Sequence, residues 1–227
     1  MTGSGISVES GVPTFREAQT GLWEQYDPEE LATPQAFLST PQLVWDWYIW
    51  RRKLISKAAP NAGHKALSRL AQVRPGLVLI TQNVDGLHQR AGNDNVIEFH
   101  GRIDQDRCFD CHQYPTGTVE SDEHPLPCPS CGGRLRPDVV WFGEHIPPAA
   151  LQSALEAVSS CDLFVSVGTS SLVYPAASLA QTAASQGATV VEINTNPTPL
   201  TKSADYSIQG LASFWLPALV DSIDNVD

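Results

Sequence analysis

The sequence lacks any long apolar run. Its most hydrophobic stretches, such as Leu77–Ile80 and Leu163–Val167, have the length of a strand and fall far short of the roughly 18–20 residues a membrane-spanning helix needs. A basic start followed by an apolar stretch, the mark of a secretory leader, is missing too. Positive charge is scarce. There are 14 Lys and Arg against 25 Asp and Glu, a formal net charge of −11, which opposes non-specific attraction to nucleic acid. The expectation is a cytoplasmic monomer with no membrane or nucleic-acid partner. The 227 residues, 42% of them hydrophobic, suffice for one large domain or two unequal ones. No internal repeat or low-complexity tract is found.

Cysteine is sparse but patterned. Four of the five cysteines form Cys108-x2-Cys111 and Cys128-x2-Cys131, with sixteen residues between the pairs. Two such pairs on tight turns offer four thiolates to one tetrahedral zinc ion, and Gly132-Gly133 relieves the second turn. The competing reading is two disulfides formed in an oxidising compartment. A full set of four thiolates leaves no open coordination position, so the metal is expected to be structural. Cys161 reads as a small core residue, and His112 adjoins a zinc ligand without counting as one.

Strand-like and helix-like segments alternate. Leu77–Thr81, Leu163–Val167 and Thr189–Ile193 read as buried parallel strands. Ala-rich Ala176–Gln186 reads as a helix stopped by Gly187; residues 41–57, 61–72 and 150–159 read as further helices. This order implies a doubly wound α/β sheet. Two excursions interrupt it and form a small second domain: a helical part over 24–57, and a polar, irregular, zinc-binding part over 101–140. The main domain then comprises 1–23, 58–100 and 141–227. In such sheets ligands bind in loops beyond the carboxyl ends of the strands. Here those loops are Gly3-Ser4-Gly5, Gln82-Asn83-Val84-Asp85-Gly86, Gly168-Thr169-Ser170-Ser171 and Asn194-Thr195-Asn196. Gly3-Ser4-Gly5 allows close approach to a phosphate, or is simply a tight turn; no third glycine completes a dehydrogenase fingerprint.

Thr2-Gly3-Ser4-Gly5-Ile6-Ser7-Val8-Glu9-Ser10-Gly11-Val12-Pro13-Thr14-Phe15-Arg16 resembles the opening motif of the sirtuins, NAD-dependent protein deacylases. Later motifs follow in the family's order: Gln82-Asn83-Val84-Asp85, Glu98-Phe99-His100-Gly101, the four cysteines, Arg136-Pro137-Asp138-Val139-Val140-Trp141-Phe142-Gly143-Glu144, Gly168-Thr169-Ser170 and Asn194. The resemblance spans essentially the whole chain and implies a Rossmann-like NAD domain. It implies that Gly3, Ser4, Gly5, Ser7, Glu9, Pro13, Thr14, Phe15, Arg16 and Trp23 wrap NAD, with Phe15 and Arg16 near the reacting end. Gln82, Asn83 and Asp85 would hold the nicotinamide ribose and carboxamide. Gly168, Thr169, Ser170, Asn194, Thr195 and Asn196 would hold the phosphates and adenosine, with Ala212 near the adenine.

The chemistry the resemblance implies is acyl transfer. The acyl-lysine oxygen displaces nicotinamide from the ribose, and His100 then acts as general base on the ribose hydroxyls, a role suited to a side chain titrating near working pH. Free lysine, nicotinamide and O-acyl-ADP-ribose result. His64 and His88 read as structural, and His112, His124 and His145 carry no site argument. Tyr48 and Arg51 lie three residues apart on one helix face. Taken alone they are a surface Arg beside a core aromatic, yet the pair resembles that of the sirtuin branch removing succinyl, malonyl and glutaryl groups. A guanidinium fork and a phenol hydrogen suit a terminal carboxylate. Arg52 and Lys53 read as solvent-side charges. Val139, Val140, Trp141, Phe142 and Gly143 would form the edge to which an acyl-lysine peptide adds as a strand; for Val139 and Trp141 an ordinary buried strand is the competing reading.

Four features depart from the family, the mildest being Ser4 where the family usually has Ala. Only Met1 and Thr2 precede the glycine loop, so the strand usual there is not seen, and neighbouring strands are expected to carry unpaired backbone groups. Glu17-Ala18-Gln19-Thr20-Gly21 replaces a more glycine-rich loop, and Ile103-Asp104-Gln105-Asp106 is unusually acidic. The alternatives are mono-ADP-ribosyl transfer to protein and a catalytically weak acyl-lysine reader. A zinc ribbon leaves the glycine and Asn loops unexplained, and a dehydrogenase leaves His100 and the zinc unexplained.

Overall fold

The computed structural model describes residues 1–14, 23–117 and 124–224. The chain divides into two units, Met1–Thr14 with Ala58–His100 and Ile146–Asp227, and Phe15–Lys57 with Gly101–His145.

The first unit is a parallel sheet flanked by helices. β1 (Leu79–Thr81) pairs with β2 (Val96–Glu98), and β5 (Leu163–Val167) pairs with β6 (Thr189–Asn194), which pairs with β7 (Tyr206–Gln209), every pair parallel. Two helix pairs pack on this sheet: α4 (Ala62–Val73) with α8 (Ala212–Asp224), and α6 (Pro148–Ser160) with α7 (Leu179–Ser185). Parallel strands require such crossovers, and apolar strand runs like Leu163–Val167 follow from cover on both faces. The core joins Ala66, Leu67, Ala212, Leu216 and Val220 of the helices to Leu79, Val167 and Ile193 of the strands. Gly187, at φ 94°, ends the α7 segment, as its place in the sequence predicts. No helix among the described residues is long and apolar enough to cross a membrane.

Between β1 and β5 lies the start of the chain, where unpaired backbone was expected. Thr2 bridges both strands, at Thr81 and Val167. Its amide donates to Ile80 O at 2.8 Å, and its carbonyl accepts from Gln82 N at 3.0 Å. Val167 N donates to Met1 O and Gly3 N to Val167 O, each at 2.9 Å. At the carboxyl ends of β1 and β5, therefore, the expectation of unpaired groups does not hold.

The second unit is helical and zinc-knuckle-like, with a β element the sequence did not reveal. α1 (Pro28–Leu31) and α2 (Pro34–Ser39) start on Asp27 and Thr33, whose side chains accept from the Glu29 and Ala36 amides, each with Pro at the first helical position. α3 (Pro41–Lys57) buries Val44, Trp45, Trp47, Tyr48 and Ile55. The stretch 101–140, expected to be irregular, contains β3 (Gly101–Cys108) antiparallel to β4 (Leu135–Val139), with a register shift between Arg102 and Asp106. Charge hides this strand, since Asp104 and Gln105 occupy the bulge and face solvent.

That acidic run also corrects the reading of Arg52. Its guanidinium is not solvent-side: it donates to Asp106 Oδ1 at 2.6 Å, Gln105 O at 3.1 Å and Ile103 O, tying α3 to the bulge. Arg102 forks onto Asp104 at 2.9 and 2.7 Å, so two arginines neutralise the segment. Cys161 is half-buried after α6 and no member of the core.

Glycine is indispensable where loops of the first unit touch. A Cβ on Gly5 would lie 2.7 Å from Gly168 Cα, and one on Gly3 would lie 2.8 Å from Gly168 O. The freedom read as room for a phosphate is thus spent in part on backbone-to-backbone packing. Gly5→Ala is expected to destabilise the protein by about 2 kcal/mol or more in urea unfolding. Gly76→Ala, where a Cβ meets nothing within 4 Å, should change stability by less than about 0.5 kcal/mol.

Candidate active site

In the first unit, four loops converge beyond the carboxyl ends of β1, β5 and β6, joined by side-chain amides and hydroxyls. Asn83 Nδ2 donates to Gly3 O at 3.0 Å and Ser7 Oγ at 3.2 Å. Ser7 Oγ donates to Asp85 Oδ2 at 2.7 Å, and Asp85 Oδ1 accepts from Leu87 N at 2.9 Å, opening α5 (Leu87–Arg90). Gln82 Nε2 reaches Thr169 Oγ1 at 3.0 Å, and Asn194 Nδ2 reaches Thr169 O at 2.8 Å. Gly3, Ser7, Asp85 and Thr169 are buried, as is Ala212 at the start of α8. Ser4, Gly5, Pro13, Thr14, Gln82, Asn83, Gly168 and Asn194 are half-buried, and Glu9, Ser170, Thr195 and Asn196 are exposed. This set of amide, hydroxyl and carboxylate groups suits the hydroxyls and carboxamide of a dinucleotide.

Phe15 and Arg16 lie outside the described residues, as does the 17–21 loop. Trp23 belongs to the second unit, buried against Tyr26 and Trp50 at ring separations of 5.8 and 6.1 Å.

His100 follows β2 and is half-buried, its ring 5.6 Å from that of Phe99. Its Nδ1 lies 3.1 Å from Gln82 O. A carbonyl can only accept, so Nδ1 carries the hydrogen and Nε2 keeps its lone pair. Burial lowers the pKa from 6.5, opposed by the Gln82 hydrogen bond, and favours the neutral ring.

Several supporting residues had little or no local sequence signal. His64 and His88, read as structural, lie with rings 4.9 Å apart and Nε2 atoms on Ser7 Oγ (3.4 Å) and Thr2 Oγ1 (2.9 Å). Asn61 had a signal, an Asn just before a helix. Its Oδ1 caps α4 at Gly63 N (2.9 Å), while Nδ2 holds Ile6 O (2.7 Å) and Ser10 Oγ (3.0 Å). Glu192 is buried on β6 and accepts from the hydroxyls of Thr198, Thr201 and Ser207, anchoring the turn after Asn196.

In the second unit the four cysteine sulfurs lie within 4.8 Å of one another. Cys108 and Cys131 Sγ are 3.5 Å apart, Cys111 and Cys128 Sγ 3.8 Å, against roughly 3.8 Å for the edge of a tetrahedron with zinc–sulfur bonds near 2.3 Å. Amides of Cys111 and Gly133 point to the Cys108 and Cys131 sulfurs, both at 3.4 Å. None of the five cysteines is disulfide-bonded. The donor set fits a closed, structural zinc site.

Tyr48 is 2% exposed and accepts from Trp141 Nε1 at 2.8 Å. Burial pushes its pKa up to about 12, against the pull of nearby Arg51. Arg51 is half-buried, its guanidinium 5.2 Å from the Trp47 ring centre. Within Val139–Gly143, Val139 pairs with Gly101, Trp141 N donates to Glu144 Oε2 at 2.9 Å, and Phe142 N to Ala32 O at 2.9 Å. Val140 is half-buried, and Phe142 and Gly143 are exposed.

The description "Sir2 family" matches residues 3–175. The chain belongs to the Sir2 family. This Sir2-family protein is 51% identical to a protein of Aquifex aeolicus (strain VF5) named NAD-dependent protein deacylase, over 97% of this chain and 92% of that one. It is also 51% identical to NAD-dependent protein deacylase 2 of Pyrobaculum aerophilum, over 98% and 89% of the two chains. Among solved structures, a Sir2 homologue–NAD complex superposes with a TM-score of 0.92 at 44% identity, covering 99% of this chain and 88% of that one. A Sir2–p53 peptide–NAD+ complex gives 0.85 at 29% identity, covering 100% and 92%.

Two outcomes are expected. Burial holds His64 at a pKa of about 4, and burial with the His64 ring nearby holds His88 at about 3. The unfolded chain therefore takes up two protons below about pH 6.5 that the folded chain refuses until far lower pH. The stability these two histidines contribute, fully present above pH 6.5, should fall as pH drops towards 4, by about 1.4 kcal/mol per pH unit for each. Urea midpoints at pH 7, 6 and 5 measure this, and His88→Gln should lower the slope by about 1.4 kcal/mol per pH unit. Stripping metal with a chelator should change the fluorescence of Trp45, which packs on Cys108 and Cys128; an unaltered spectrum after complete removal would refute a structural ion.

Proposed function

We propose that the protein is an NAD-dependent protein-lysine deacylase preferring acyl groups that end in a carboxylate, succinyl and malonyl, with deacetylation as a lesser activity. The observation that carries the reading is His100, with Nδ1 committed to Gln82 O and its pKa lowered by burial. A neutral imidazole with one free lone pair is the form a general base needs. Relatives about half identical along nearly their whole length are named for this activity, which supports it.

When bound, NAD supplies an ADP-ribosyl group to receive the acyl group and nicotinamide as leaving group; the products are free lysine, nicotinamide and O-acyl-ADP-ribose. Asn83, Asp85 and Ser7 would hold the nicotinamide half, and Gly168, Thr169, Ser170, Asn194, Thr195 and Asn196 the phosphates and adenosine. Phe15 and Arg16 remain assigned to the reacting end by their motif. His100 Nε2 would take a proton from a ribose hydroxyl, and because the ring resists protonation it stays competent below neutral pH. Zinc would hold the fold of the second unit and take no part in the reaction.

Acyl choice is assigned to Tyr48 and Arg51. A charge-assisted contact with a carboxylate in a desolvated setting is worth about 1.5–3 kcal/mol, roughly 10- to 150-fold in discrimination. The substrate is an acyl-lysine protein or peptide lying along Val139–Gly143. The same reading has the protein act as a monomer in the cytoplasm.

The decisive experiment follows NAD-dependent release of succinyl and acetyl groups from matched lysine peptides. Desuccinylation is expected to be about tenfold or more faster in kcat/KM, with O-acyl-ADP-ribose formed. His100→Ala should lower both activities by at least about 100-fold while NAD binding, followed by calorimetry, persists. ADP-ribose attached to protein would indicate transferase chemistry, and NAD-independent peptide binding without turnover would indicate a reader.

A further inference from the structure

Trp141, which the sequence left either at the peptide edge or in a buried strand, turns its indole ring inward and is 1% exposed. Nε1 donates to Tyr48 Oη at 2.8 Å. The ring itself is clamped. Arg136 Cζ lies 3.2 Å from its centre, and Arg136, 2% exposed, forks onto Glu144 at 2.5 and 3.0 Å. Glu144 Oε2 closes the circuit by accepting from Trp141's own amide at 2.9 Å. A buried guanidinium must stay paired, so the arrangement has one stable geometry.

We propose that Trp141 is a positioning residue for acyl selection, its indole N–H fixing the Tyr48 hydroxyl as a hydrogen-bond donor to the acyl carboxylate. The inference rests on the acidic-acyl reading above. A phenol has one hydrogen and two lone pairs, and an indole N–H can only donate. With one lone pair taken by Trp141, the Tyr48 hydrogen cannot point at the indole and is directed to another acceptor. The raised pKa of Tyr48, about 12 through burial, keeps that hydrogen in place across the working pH range. Arg51, one turn further along α3, supplies the charge; Tyr48 supplies a direction.

The test is the ratio of KM values for succinyl- and acetyl-lysine peptides of one sequence. Any change in peptide contact moves both values and cancels. Trp141→Phe keeps an aromatic ring without the N–H, and should raise the ratio roughly three- to tenfold, less than the loss of the whole charge-assisted contact because Tyr48 keeps its hydroxyl and loses only its orientation. Trp141→His, which keeps a ring N–H, should recover part of the loss. In a Tyr48→Phe background, Trp141→Phe should move the ratio by less than about twofold, since there is no hydroxyl left to orient. An unchanged ratio in Trp141→Phe, or an equal rise in the Tyr48→Phe background, overturns the inference.

Arg51→Met separates the two levels. If it leaves the ratio unaltered, the acidic-acyl reading fails and this inference with it. If Arg51→Met raises the ratio and Trp141→Phe does not, only the inference fails. Should Trp141→Phe not fold, Glu144→Gln loosens the clamp with the indole in place. It is expected to raise the ratio about twofold or more, and no rise overturns the inference.

Discussion

Everything in the first unit depends on how closely two loops can approach. Gly3 and Gly5 touch the backbone of Gly168 with no space for a side chain on either side, and Gly168 itself turns through φ 59°. That contact brings the ends of β1 and β5 near enough for Asn83, Gln82 and Asn194 to reach across and bond neighbouring loops. Four separately placed loops become one polar surface, and no single segment carries it. The two buried histidines and Asn61 then hold the glycine loop from behind, through hydroxyl and carbonyl groups rather than charges. The loops that would meet a ligand are in this way built mostly from side chains already satisfied by one another, and such preorganisation lowers the entropic cost of binding.

The second unit solves a different problem. Without the cysteine cluster, β3 and β4 would be a two-stranded ribbon, which is marginal alone in water. Four sulfurs gathered at one end, the Arg136–Glu144 pair beside them, and Arg52 at the bulge tie the ribbon down. At the knuckles Trp45 and Leu135 pack against Cys108 and Cys128, so zinc held by the four sulfurs would fix apolar packing as well as the ribbon's end.

Sequence patterns declared the parts with strong periodicity or fixed spacing. The strands around Phe164 and Val190, the helix crowded with Trp45, Trp47 and Trp50, and the zinc knuckles were all legible, because buried strands, amphipathic helices and thiolate pairs each impose a local rule. β3 was not. Its face toward solvent is acidic, a bulge breaks its alternation, and its partner lies beyond the second knuckle, so no local window contains the signal. Arg52 was misread for the same reason: its acceptors are some fifty positions away. The motif residues of the site were visible only as a resemblance. Composition distinguishes neither Ser7 from any other serine nor His100 from a core histidine, and what sets them apart is which atoms the fold turns towards them.

Glu192 gives the turn after β6 an unusual footing. Among the described residues, three hydroxyls donate to its buried side chain. A surface pair such as Arg69 with Asp221 sits among mobile ions and weakens as they accumulate. Hydroxyl dipoles turned onto a buried side chain carry no net charge for those ions to screen. The turn carrying Asn194, Thr195 and Asn196 should therefore keep its shape from dilute buffer to concentrated brine, whatever happens to the charged exterior around it.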